Sequence, residues 1–76
     1  MAAEDPWTLK ARRLLKAELR RREINYPQLA ERLQAMGVQE TKASITNKIS
    51  RGSFTAAFLL QCMEAIGVKS LRLDAE

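Results

Sequence analysis

Glycine punctuates this chain, and the punctuation leaves little choice of architecture. Gly37, Gly52 and Gly67 each follow a segment whose apolar residues recur at intervals of three and four. That interval is the period of a helix with one buried face. Glycine just past such a segment suits the left-handed position that closes a helix. A first segment ends without glycine, at the Ile24-Asn25-Tyr26-Pro27 break. The pattern therefore predicts four helices joined by short turns, and no internal repeat, low-complexity tract or long linker interrupts it.

The helix starts are equally legible. Asp5-Pro6 supplies a cap and a proline in the first helical position. Trp7, Ala11, Leu14, Leu15 and Leu19 then share one arc, opposite Arg12, Arg13, Lys16 and Arg20, which predicts a helix over about 6–22. Glu18 projects into the apolar arc and is expected either to pair with an arginine or to sit at its exposed end. Asn25, with Gln28 three residues on, forms a capping-box variant opening a helix at about 26–36. Pro27 fits its first turn, where amides lack intrahelical acceptors anyway. Leu29, Ala30, Leu33 and Met36 line its inner face, and Val38 folds back past Gly37. Gln39-Glu40-Thr41 leads into a helix at about 41–50, held down by Ile45 and Ile49. Ser53 or Thr55 caps the last helix, about 55–66; with Thr55 as cap, Phe54 is placed to pack on Leu59. The tail, 68–76, sets Leu71 and Leu73 two apart, as in a short strand or an extended segment.

A chain of 76 residues makes one domain, 1–76, and its core is small. With no histidine and a single cysteine, Cys62, neither a disulfide nor a metal cluster supports that core. The same shortage removes Ser-His-Asp and Cys-His catalysis. The glycines are spread one per helix end, not clustered as in a phosphate loop. Glu18, Glu31 and Glu64 stand on separate elements with no pairing interval. The expectation is a non-enzyme without cofactor or small-molecule substrate. No apolar run approaches the roughly 20 residues of a membrane span, and the start of the chain lacks a basic-then-apolar leader, so a cytoplasmic location is expected.

Charge narrows the partner. Thirteen Lys and Arg against nine Asp and Glu give +4, and seven of the basic residues fall between Lys10 and Arg22. That imbalance favours a polyanion. The third segment turns outward a small, hydrogen-bonding, basic surface of Ala43, Ser44, Asn47, Ser50 and Arg51, with no acid after Glu40. Two short helices joined at Gly37, the second with such a face, make a helix-turn-helix, whose second helix fits the major groove of DNA. On that reading Ser44, Asn47 and Lys48 read bases, while Arg20, Arg21, Arg22, Tyr26, Gln28 and Arg51 hold phosphates.

The stretch Leu15 to Val68 resembles the lambda-repressor-type (XRE-type) helix-turn-helix domain. The likeness lies in Ile24-Asn25, Leu29-Ala30, Gly37-Val38, Arg51-Gly52 and Ile66-Gly67-Val68. The intervals from Leu29-Ala30 to Gly37 and on to Arg51-Gly52 are each longer than usual by about one helical turn. More closely, Asn47-Lys48-Ile49-Ser50-Arg51-Gly52-Ser53-Phe54, with Ala56-Ala57-Phe58 and Ala65-Ile66-Gly67, is similar to a small bacterial family of unknown function. The resemblance implies an all-α, four-helix DNA-binding domain with a short extended tail, as in small bacterial transcriptional regulators.

The fourth helix is apolar over more than half its circumference. Phe58, Cys62 and Ala65, with Leu71 and Leu73 of the tail, are expected to meet a second copy in a homodimer. The alternative function is an interaction module that uses this helix and the tail and binds no DNA.

Overall fold

The computed structural model describes residues 5–74. The ends of the expected domain, 1–4 and 75–76, lie outside them. Four helices follow one another: α1 (Pro6–Arg21), α2 (Tyr26–Ala35), α3 (Lys42–Arg51) and α4 (Ala56–Ala65). Each boundary falls within one residue of the sequence reading. The described residues contain no strand, and the tail beyond Gly67 runs in turns and bends. There Leu71 packs half-buried on the core, whereas Leu73 is 62% exposed.

The elements begin where side chains satisfy amides that the helix itself leaves without acceptors. An Asp5 carboxylate oxygen accepts the Trp7 N–H at 3.0 Å. Asn25 and Gln28 cap reciprocally, at 2.9 and 2.8 Å. Thr41 and Ser44 do the same at the head of α3, at 3.1 and 2.9 Å. At α4 the cap is Thr55, whose hydroxyl accepts the Phe58 N–H at 3.0 Å. Phe54, just before it, lies with its ring centroid 5.5 Å from that of Phe58.

Leu15, Leu19, Leu29, Leu33, Ile45, Ile49, Phe58, Cys62, Met63 and Ile66 form one buried cluster to which every helix contributes. Each fully buried leucine or isoleucine contributes about 1.5–3 kcal/mol. Helix α3 packs on both α1 and α2, and α4 packs on α2. The inward side of α3 is thus fixed by Ile45 and Ile49, and its opposite side is left to solvent.

The end of α1 carries a local conflict. The N–H of Ile24 returns to the Leu19 carbonyl at 2.9 Å and that of Glu23 to the Arg20 carbonyl at 3.1 Å, the pattern of a left-handed helix stop. Glu23 occupies that left-handed position, at φ 56°. A side chain there is strained, and glycine is not. Glu23→Gly is expected to stabilise the domain by about 1 kcal/mol, read as a higher midpoint in urea; a lower midpoint contradicts the assignment.

Candidate nucleic-acid interface

Because Ile45 and Ile49 face the core, Lys42, Ala43, Thr46, Asn47 and Ser50 face out. They line a shallow recess of about 510 Å³ along α3. The Thr46 hydroxyl donates back to the Lys42 carbonyl at 2.8 Å. Asn47 is exposed and its carboxamide makes no hydrogen bond to any described residue. No acidic residue occurs in α3.

Two of the three expected base readers are occupied elsewhere. The Ser44 hydroxyl accepts the Thr41 N–H and lies 2.6 Å from Glu40 Oε1, to which it donates. Lys48 forms an ion pair with Glu40 and lies over the Phe58 ring, 4.9 Å from its centroid. Both expected base readers are thus engaged within the fold, although the Lys48 side chain stays partly exposed. Glu40 is only 6% exposed, and a carboxylate so enclosed requires both partners. Of the three, Asn47 alone keeps its polar group free for a ligand.

Burial pushes the Glu40 carboxyl upward, but hydrogen bonds from Lys48 and Ser44 and the Lys48 charge outweigh it, leaving its pKa below the ordinary value. A folded pKa below the unfolded one stabilises the fold above the unfolded value, about 4.3. That contribution disappears as pH falls through the lower, folded value. Denaturant titrations between pH 6 and 3 should show the wild type losing stability more steeply than Glu40→Gln; parallel profiles would contradict this. Behind the same network Cys62 is fully buried, and its thiol is pushed up to about 12, chiefly by burial, with the Glu40 charge adding to it. It behaves as a small apolar side chain.

On one flank of α3 runs a basic edge of α1. Arg12, Lys16 and Arg20 stand four residues apart, so their bases lie about 6 Å apart along the helix. Arg12 and Lys16, with Tyr26 at the head of α2 and Thr46, Ile49 and Ser50 of α3, line a recess of about 290 Å³. Lys16 and Arg20 continue it past Tyr26 and Ile24. Arg12 donates to the Ser50 carbonyl at 2.9 Å, joining α1 to the last turn of α3. Burial raises the pKa of Tyr26, so its hydroxyl is a neutral donor at ordinary pH. Lys16 and Arg20 have no ion-pair partner among the described residues.

The arginine run divides at this point. Arg20 belongs to the basic edge, but Arg21 and Arg22 turn to Glu18, which is buried at 4% exposure. Arg21 holds one carboxylate oxygen at 2.9 Å and Arg22 the other. Both were expected to hold phosphate; here an enclosed carboxylate engages them, while each side chain stays partly exposed. Gln28 gives its side-chain oxygen to the Asn25 amide, which ties it to the start of α2.

The other flank is the joint between α3 and α4. Lys48, Arg51, Ser53, Phe54, Thr55 and Phe58 enclose a recess of about 220 Å³. Arg51 is exposed there and has no ion-pair partner among the described residues.

The expected dimer face is also redrawn. Phe58 and Cys62 belong to the chain's own core, at 3% and 0% exposure, and cannot present a surface. Ala65 and Leu71 are half-buried against that core. An apolar residue that α4 does expose is Leu60, at 67%.

Sequence reasoning missed Arg12 and Lys16 as members of the site and Glu40 as its internal anchor. The four-residue spacing that leads to Arg20 was the available signal for the first two. Among the described residues no group of side chains has the make-up of a metal site, and no helix is long and apolar enough to cross a membrane. A family model described as a domain of unknown function (DUF6471) matches residues 7–71. No curated protein and no solved structure matches the chain.

Proposed function

We propose that this chain, which belongs to the DUF6471 family, is a DNA-binding domain of the lambda-repressor helix-turn-helix type, acting as a small transcriptional regulator in the cytoplasm. One observation carries the reading. The solvent side of α3 is short, polar and free of acid, and cationic recesses border it on both flanks. The major groove of duplex DNA is about 12 Å wide and admits one helix, with a phosphate strand along each side. Small side chains such as Ala43 and Ser50 let the helix backbone approach base edges. Arg12, Lys16, Arg20 and the Tyr26 hydroxyl face one strand, and Arg51 faces the other. Phosphate contacts of this kind fix register and supply most of the affinity, while the groove-facing side chains select sequence.

Backbone amide shifts on titration with a 16-base-pair duplex test the reading. Residues 12–26 and 42–51 should move, and the outer side of α4 should not. Shifts confined to α4 and the tail would contradict it.

A second reading rests on Leu60 and Leu73, at 67% and 62% exposure. They favour a protein contact through α4 and the tail, either with a second copy, as a two-fold DNA site requires, or with another partner and no DNA. Sedimentation of the wild type beside Leu60→Glu separates these cases: a dimer lost in the variant supports self-association, and a wild-type monomer excludes it.

A further inference from the structure

The geometry points to A·T base pairs as the sequence that α3 reads, with Asn47 as the reader and Ala43 as its apolar neighbour. This rests on the duplex-binding reading above and says what that surface selects.

The inference follows from what α3 has left to offer. Ser44 and Lys48 are tied to Glu40, and the Thr46 hydroxyl is turned back onto the Lys42 carbonyl. Along the middle of the helix this leaves one exposed group carrying both donors and an acceptor, the Asn47 carboxamide. Adenine presents an acceptor (N7) beside a donor (N6) in the major groove, and a carboxamide matches both at once. Guanine presents two acceptors there, so the amide oxygen would face another acceptor and one bond would be lost.

Ala43 precedes Asn47 by four residues and therefore lies one turn away on the same side of the helix. It lines the same recess, and its methyl group suits the 5-methyl of thymine. Side chains suited to guanine, lysine and arginine, stand at the ends of the helix, Lys42 at its first position and Arg51 at its last. About 13 Å of helix separates them, and each is long enough to reach backbone beyond the edges that the middle of the helix faces.

Selection of bound duplexes from a random library, with wild type and Asn47→Ala, tests this. The enriched site should contain an invariant A·T pair. Asn47→Ala should bind that site about tenfold more weakly or worse, and lose clearly less affinity for random duplex. Replacing the thymine of the invariant pair by deoxyuridine should cost about fourfold, the worth of one methyl group removed from water.

An enriched core made only of G·C pairs, no enrichment at all, or an Asn47→Ala protein with the wild-type motif and affinity would each overturn the inference while duplex binding stands. Failure of both proteins to bind any duplex at low salt would overturn the duplex reading and this inference together. Asn47 is exposed and outside the core, so the variant is expected to fold, and its melting temperature checks that directly.

Discussion

Gly52→Ala is expected to lower stability by about 3 kcal/mol, whereas the matching change at Gly37 should cost only about 1. Both glycines have left-handed backbone, at φ 72° and 85°, so alanine strains both. They differ in what the new methyl group meets. At Gly37 it meets nothing within 4 Å. At Gly52 it falls 2.7 Å from the Thr8 side-chain methyl and 2.8 Å from the Thr8 carbonyl oxygen. A side-chain methyl can rotate away, but the carbonyl is part of α1. Relief therefore requires α1 to shift from the end of α3, where Arg12 also binds the Ser50 carbonyl. In a domain of this size 3 kcal/mol corresponds to a drop in Tm of roughly 12–24 °C. Thr8→Ser should not rescue the variant, because the carbonyl remains. Equal melting temperatures for the two glycine variants would refute the close approach of α1 to Gly52.

The second large effect concerns Glu18. Replacing Arg21 and Arg22 together by alanine should destabilise the fold by about 3 kcal/mol, the lower end of the range for stranding a buried charge. Both carboxylate oxygens lose their donors in that variant, and Glu18 is only 4% exposed. The lower end applies because both arginines are partly solvated. Adding Glu18→Leu should recover most of the loss, since a well-packed apolar residue replaces the whole cluster at little cost. Urea denaturation of the two variants measures both numbers. A double-alanine protein as stable as wild type would show that the arginines do not neutralise Glu18. It would also return Arg21 and Arg22 to the pool of free cations.

These two cases show where sequence is informative and where it stops. Asp5, Asn25 with Gln28, and the glycine stops act within a few residues of themselves, so the helix boundaries were readable almost to the residue. The arginine run was not. Adjacent residues on a helix point about 100° apart, so Arg20 and its two successors face different surroundings, and only the burial of Glu18 decides which. Ser44 offers a further lesson. Thr41 and Ser44 have capping-box spacing, a local signal that competes with the base-reading assignment. Lys48 had no such signal, because its partners Glu40, before α3, and Phe58, on α4, come together only in the folded chain. The inward side of α4 was hidden for another reason. A helix apolar around most of its circumference does not disclose which side meets the core, so Phe58 and Cys62 read as a surface for a second copy.

In the proposed function, the surface formed by α1 and α3 holds the phosphates of a duplex. The most direct test is fluorescence anisotropy of a labelled random-sequence duplex, titrated at several salt concentrations with wild type and with Lys16→Ala/Arg20→Ala. Each phosphate contact contributes about 0.9 to the slope of log K against log salt. Wild-type binding should weaken steeply with salt, with a slope shallower by about two in the double variant. Binding that is absent at low salt, or that ignores both salt and the two substitutions, would contradict the proposed function.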